Sequence, residues 1–453
     1  MRTKTTMIIF FTLLCVKAMS QGFEWVKKFQ TSQSGEMRCV IVTNDHNYIA
    51  SGQLNYSGYL MKTDTSGTVI WSKSFSYLSE IFQIQQTSDG GFAFFASPSS
   101  SSGCYFVKTN SSCDTLWTRK IISDLPRNNK CFQQTTDNGY ILSYSYADTL
   151  YLRKLSSTGN PLWLKHFTGL SKALANSVCQ TSDGGFLVGA NTNDSLPGNA
   201  QQDMYIIKTS AIGDTLWTHI IQSPGYQELM GAVETTDHNY ALLYYIGGGC
   251  SLNTYIRKIN SAGTVIWDNS IMTGSYSSFP WALYNTTDHG FIVAGKMQHL
   301  VEGTNFDFTV SKIDSLGIEK WVLNYCGPDY DYAYSVAQES DSVYIASGYS
   351  CAGGADNKLT LAKISSTQSP TAIQKINESL LFSVFPNPAT DYITINYFQK
   401  ATLEITNIES QIIKTFNITD TETTIDVSGL SGGVYIIKAQ SDKGVVVKKF
   451  IKE

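Results

Sequence analysis

Seven tryptophans divide most of this chain at nearly regular intervals: Trp25, Trp71, Trp117, Trp163, Trp217, Trp267 and Trp321. The first three spacings are 46 residues each, and the later three are 54, 50 and 54. A recurrence at that period is the mark of a repeat architecture, in which each unit buries its apolar face against its neighbours. Six of the tryptophans follow a lysine by nine residues, at Lys62, Lys108, Lys154, Lys208, Lys258 and Lys312.

Residues 175–222 show what one unit contains. A short run over 177–181 ends in Ser182-Asp183-Gly184-Gly185, a tight-turn signal, and the apolar run 186–190 follows as a hairpin partner. A polar loop leads to a third run, 204–209, and a second turn leads to a fourth, 215–221, which carries Trp217. Four short antiparallel strands in 40–50 residues is the signature of a propeller blade. The first turn recurs at Asp45, Asp89, Asp137, Asp183, Asp237, Asp288 and, in degenerate form, Asp341. Each of these precedes a Phe or Tyr that opens the second strand, so there are seven inner hairpins. The seventh third-strand lysine, Lys363, has no tryptophan after it; Ser365 to Pro370 opens a linker instead. The missing fourth strand lies at the other end, in Gly22 to Phe29 with Trp25. The expectation is an all-β chain: a seven-bladed β-propeller over 21–366, its last blade completed by an N-terminal strand that removes the free sheet edge. A β-helix needs shorter coils, and an open solenoid needs a cap at each end.

The ends and the composition place the chain outside the cytoplasm. Arg2 and Lys4 precede the apolar run 7–14, and Ala18-Met19-Ser20 offers a small-x-small cleavage site, so residues 1–20 read as a signal peptide. No later stretch reaches 18 apolar residues, and no transmembrane segment is expected. Charged residues are only 15% of the 453 and the net charge is −4, with no basic patch to hold nucleic acid. Eight cysteines follow the leader, without the close spacing that zinc sites use and too sparse for a disulfide framework. Cys326 and Cys351 fall on the same loop face of adjacent blades and are expected to form a disulfide; Cys104 and Cys131 are a second candidate pair.

Composition shifts after residue 366. A polar linker over 367–381 leads to alternating runs at 392–397, 402–408, 411–416, 423–427, 433–439 and 444–451, the pattern of a small antiparallel β-sandwich over 382–453. The stretch contains Phe385-Pro386-Asn387-Pro388 with Asp391, then Leu430-Ser431-Gly432-Gly433-Val434-Tyr435, and a basic ending at Lys448, Lys449 and Lys452. In these residues it resembles the type A sorting domain of the Bacteroidetes type IX secretion system, although the glycine usual in the middle turn is replaced near Ser410. The resemblance implies Phe385, Pro386, Asn387, Pro388, Gly433 and Tyr435 as the sorting motif and the secretion machinery as a partner. It further implies passage across both membranes, removal of the domain, and release or surface attachment.

Little in the repeat itself points to chemistry. The turn aspartates lack the clustered oxygens that calcium requires, and a side chain bonding its own turn accounts for them better. His46, His238 and His289 sit in these same turns on different blades, too far apart to converge. The lysines and tryptophans read as architecture, the tryptophan packing on the neighbouring strand with the lysine stem along it. No nucleophile elbow, kinase, P-loop or zincin pattern is present, and no cofactor or metal site is expected. Recognition is better placed in the irregular loops of the face opposite the aspartate turns, which vary in length and carry aromatics beside Asp and Asn. The candidate ligand-binding residues are Tyr276, Phe279, Trp281, Tyr330, Asp331 and Tyr332. The segments 193–197 and 296–307 lie on the same face. These features suggest a secreted or cell-surface binding module for a glycan or a protein. A polysaccharide hydrolase or lyase working at the propeller mouth, or a non-catalytic adhesive protein, would fit the same pattern.

Overall fold

The computed structural model describes residues 22–29, 34–99, 103–121, 131–168, 172–193, 202–222, 225–248, 251–273, 275–298, 305–325, 330–351, 357–365, 383–396, 401–407, 411–418, 422–441 and 444–453. The leader, the 367–381 linker and Cys326 lie outside them. Two compact units form, Met1–Gln368 and Ser369–Glu453.

The first unit contains seven antiparallel sheets of four strands each. In six of them the strands follow chain order, as in the fourth blade: Leu174–Gln180, Phe186–Thr192, Asp203–Thr209 and Thr215–Ile221. The seventh takes Asp331–Ser340, Val343–Cys351 and Asn357–Ser365, and its outer strand is Gly22–Phe29 from the start of the chain. The chain is a seven-bladed β-propeller closed by its N-terminal strand. Register makes the closure specific. Trp25 lies opposite Lys363, as Trp71 lies opposite Lys62 and Trp217 opposite Lys208.

The lysine does more than lie along the tryptophan. Its stem runs under the first hairpin, and its ammonium reaches the turn aspartate: Lys108 to Asp89 (2.9 Å), Lys154 to Asp137 (2.8 Å), Lys208 to Asp183 (2.7 Å), Lys258 to Asp237 (2.7 Å) and Lys312 to Asp288 (2.8 Å). In the fourth blade the ammonium also donates to its neighbour's carbonyl, Thr209 O (2.9 Å). The same carboxylate accepts from Thr181 Oγ1 and from the Gly185 N–H, so one oxygen ties strand, turn and lysine together. A Cβ at Gly185 would meet the Lys208 Nζ at 2.6 Å, which explains the glycine. The residue before it must take positive φ, and there the chain uses Gly184, Asn138 or the histidines His46, His238 and His289. The turn histidines are therefore backbone choices. In the seventh blade Glu339 replaces the aspartate, pairing with Lys363 at 3.0 Å, while Asp341 accepts from Thr287 of the neighbouring blade.

Each tryptophan joins its blade to the next. Trp163 packs edge-on against Phe186, and Trp321 against Tyr344, the aromatics that open the following blade's second strand. Its far edge fills the place of a missing side chain: a Cβ at Gly213 would lie 2.8 Å from the Trp163 ring. Trp25 meets Gly67 in the same way, so the closing strand stitches the last blade to the first. At the turns of most blades, a side chain near the end of the first strand reaches back to its predecessor: Gln134 accepts from the Ser88 N–H (2.9 Å) and Gln180 from the Thr136 N–H (2.9 Å).

The second unit pairs a three-stranded sheet (Ser383–Phe385, Tyr392–Asn396, Glu422–Asp426) with a four-stranded one (Ala401–Asn407, Ile412–Ile418, Gly433–Ser441, Gly444–Lys452). Ile393, Ile395, Leu403, Ile405, Ile437 and Phe450 fill the space between them. Asn387 binds the final strand from both ends of its amide, donating to Lys449 O (3.1 Å) and accepting from the Ile451 N–H (2.9 Å). Tyr435 stacks on Phe450 and donates to Ser431 O (2.9 Å), while Phe385 is exposed. Gly433 opens its strand.

Two outcomes test this arrangement. Removing residues 22–29 should leave the Asn357–Ser365 edge unpaired, lowering Tm and producing concentration-dependent association on size-exclusion chromatography. For the clamp, partial burial alone would raise the Asp183 carboxyl, but Lys208, Thr181 and the Gly185 amide hold it down to about 2. A depressed carboxylate stabilises above its unfolded pKa, and that contribution is lost as pH falls from about 4 to about 2. Lys208→Met should therefore cost about 1–2 kcal/mol at pH 7, and its Tm difference from the parent should shrink towards pH 2.

Candidate functional site

The innermost strands carry a feature that simple alternation does not show. In six blades the first strand has a β-bulge at the same place, and one residue is left without a cross-strand partner: Arg38, Phe82, Asn176, Met230, Trp281 and Tyr334. All six stand seven residues before their turn aspartate or its equivalent, Asp341. A bulge turns a side chain out of the regular pleat, and such devices gather where a surface is being shaped. Glycine on the second strand permits the close approach. A Cβ at Gly348 would collide with the Tyr332 carbonyl oxygen, and one at Gly295 would collide with that of Phe279.

The bulged residues meet across blade boundaries. Trp281 packs edge-on against Tyr334 (centroids 5.1 Å), and the Arg38 guanidinium lies over the Tyr334 ring at 4.3 Å. Arg38 bonds Glu80 of the second blade and, at 3.1 Å, Glu36 of its own strand. Burial pushes the Glu80 carboxyl up, against the pull of Arg38. Asn176 donates across to Leu229 O. These contacts join the innermost strands of the sixth, seventh, first and second blades, and those of the fourth and fifth, into a neck on the half of the propeller nearer the variable loops.

On the fifth, sixth and seventh blades the neck adjoins a cluster of aromatic rings, in which Tyr245 and Tyr334 are buried and Phe279, Trp281, Tyr332 and Tyr349 are half-buried. Phe279 lies 4.6 Å from both Trp281 and Tyr245, and Tyr332 lies 4.8 Å from Tyr349 and 6.1 Å from Phe306. Lys296 enters this group from the second strand of the sixth blade, with its Nζ 4.0 Å from the Tyr332 centroid, 4.2 Å from Phe306 and 5.4 Å from Phe279. Burial alone lowers its amine to about 8. Three carboxylates at this end are held by the protein's own groups. Glu228 accepts from the Tyr226 (2.8 Å) and Tyr245 (2.6 Å) hydroxyls, and Glu36 and Glu80 share Arg38.

Of the residues singled out by sequence, Phe279, Trp281 and Tyr332 come together here. Tyr330 sits at the rim, 43% exposed and 6.3 Å from Tyr332. Tyr276 is also exposed, and its backbone N–H bonds Gln298 O (2.8 Å). Asp331 is a correction: it is fully buried, accepts from Ser350 Oγ and lies 4.0 Å from Lys28 of the closing strand, so it holds the seventh blade together. Cys351 bears a thiol that bonds Asn357 Oδ1 at 3.2 Å, and its expected partner Cys326 is outside the described residues. Cys104 and Cys131 are buried thiols. Most of 193–197, and residues 299–304 within 296–307, are likewise outside. Sequence reasoning did not single out Lys296, Tyr245, Tyr349 or Arg38. For Arg38, and for the bulge series as a whole, the fixed offset from the turn aspartate was the available signal. Among the described residues no group of three His, Cys, Asp or Glu could hold a metal ion.

Comparison with known proteins bears mainly on the second unit. Residues 383–453 match the secretion system C-terminal sorting domain, so the chain carries the tail that this secretion system handles, and it is exported to the cell surface or beyond. No curated protein sequence matches the chain. Among solved structures, a protein of unknown function from Bacteroides caccae is 13% identical over 64% of this chain and 94% of its own, with a TM-score of 0.41. Another, from Dyadobacter fermentans, is 10% identical over 75% and 99% (TM-score 0.44). The Neurospora crassa Pan2 WD40 domain is 10% identical over 75% and 91% (TM-score 0.48). No helix among the described residues is long and apolar enough to cross a membrane.

Arg38→Met should leave two half-buried glutamates facing each other without their cation. A loss of about 2–4 kcal/mol in denaturant unfolding is expected, with Arg38→Lys recovering only part of it because a point charge cannot serve both carboxylates and the Tyr334 ring.

Proposed function

We propose that this exported propeller is a glycan-binding module whose ligand rests on the aromatic surface of the fifth to seventh blades. The observation that carries the reading is the run of rings Tyr245–Phe279–Trp281–Tyr334–Tyr349–Tyr332, with centroid separations of 4.6–5.8 Å, in which Phe279, Trp281, Tyr349 and Tyr332 are part-exposed and the buried Tyr245 and Tyr334 fix them in place. A sugar presents a C–H face that packs on an aromatic ring, and rings fixed by a rigid sheet give such a ligand area at little entropic cost. A set of small, preorganised stacking surfaces suits a chain of repeating residues. The carboxylates at the neck are engaged by Arg38, Tyr226 and Tyr245, which supports binding over hydrolysis. After export the sorting tail is removed and the propeller is left at the surface or released.

Glycan-array screening of the full chain, followed by calorimetry on the best oligosaccharide, tests this. Trp281→Ala should weaken binding by about tenfold or more while the fold persists. Release of reducing ends from a bound polysaccharide would replace binding by hydrolysis. Binding confined to a protein would remove the glycan from the reading.

A further inference from the structure

Resting on that glycan-binding reading, we infer that the ligand is an acidic glycan whose anionic group, a carboxylate or a sulfate ester, is received by Lys296. The contrast with the repeated third-strand lysines of the blades motivates this. Lys108, Lys154, Lys208, Lys258 and Lys312 each end on a turn carboxylate of their own blade. Lys296 ends among three rings and, among the described residues, has neither a hydrogen bond nor an ion pair. An ammonium carries three donors and no acceptor, and ring faces attract its charge without accepting those protons as a carboxylate would. The group is thus positioned, half-dehydrated and uncompensated, on the surface that offers sugar-stacking rings. An anionic sugar supplies both halves of the match: a C–H face for the rings and an acceptor for the ammonium.

The groups around Lys296 leave it as the titrating one. On its own strand and the next, Lys296 lies opposite Phe308, so Asp307, opposite Met297, projects to the other face of the sheet. Lys312, at the far end of that strand, is paired with Asp288. From the seventh blade Tyr332 faces it, its hydroxyl pushed up by burial; Tyr334 and Tyr349 behind it are pushed up likewise, Tyr330 stands at the rim, and Asp331 is held by Ser350 and Lys28. From the fifth blade Tyr245 is raised by burial beside Glu228, whose oxygen accepts its proton. With its amine near 8, Lys296 is cationic at pH 6.5 and mostly neutral by pH 9.5.

The experiment uses the full chain and three probes of equal length: oligogalacturonate, dextran sulfate and neutral dextran oligomers. At pH 6.5 at least one acidic probe should bind about tenfold more tightly than dextran, and which one does distinguishes carboxylate from sulfate. Lys296→Met should abolish that preference without loss of Tm, and Lys296→Arg should keep it. Binding of the acidic probe should fall about tenfold between pH 6.5 and 9.5 in the parent and stay level in Lys296→Arg. Equal binding of neutral and acidic probes, sensitive to Trp281→Ala but not to Lys296→Met, would overturn the role of Lys296 and leave the glycan reading standing. Absence of binding to any glycan would overturn both.

Discussion

The ammonium of the third-strand lysine, buried beneath the carboxylate of the first hairpin turn, is the interaction on which the propeller depends. Placing a lysine amine where it is 2–8% exposed is costly unless its charge and its protons are met. Here the aspartate meets the charge, and for Lys108, Lys154, Lys208 and Lys312 a backbone carbonyl accepts a further proton. The clamp fixes where strand one stops, where strand two begins and how strand three lies beneath them. The tryptophan opposite the lysine then has a defined height on the outer edge, and its ring reaches the turn glycine of the next blade. Register within a blade and contact between blades are set by one pair of residues.

The variations on this clamp show which parts carry the load. In the seventh blade Glu339, two residues before Asp341, takes the lysine, so the charge pair persists although the turn sequence has degraded. The residue after the aspartate is exchanged among Gly, Asn and His, each of which takes the positive φ the turn requires, and Asn138 and His238 also meet a serine of the preceding blade. Closure follows the same rule: Gly22–Phe29 is accepted as an outer strand because Trp25 reaches the position opposite Lys363. The C-terminal sandwich is anchored differently, by the Asn387 amide clasping the last strand.

The fold was legible because its determinants repeat: the spacing of Lys, Trp and Asp carries blade count, strand order and closure together. The role of the lysine was only half visible, since linear spacing showed the nine-residue offset to Trp and concealed the ammonium folding back to the turn. The site was harder to read for a related reason. Phe279, Trp281 and Tyr332 announced themselves as aromatics in irregular segments. Lys296, Tyr245 and Tyr349 sit on second strands, where a period-two pattern reads as ordinary sheet, and they matter only through neighbours on other strands and blades. Asp331, flanked by tyrosines, looked like a ligand group, yet its carboxylate turns into the sheet and is used up by Ser350 and Lys28.

The bulge seven residues before each turn separates two demands that a strand normally satisfies together. First-strand residues in the ladder are held in register by a partner on the second strand, whereas the extra residue stands outside that register. The six described occupants are a cation, an amide, a thioether and three aromatics. A propeller built this way can exchange the lining of its axis one position at a time while the clamps and tryptophans go on specifying the same ring. That lining is open to revision in a way that the scaffold is not.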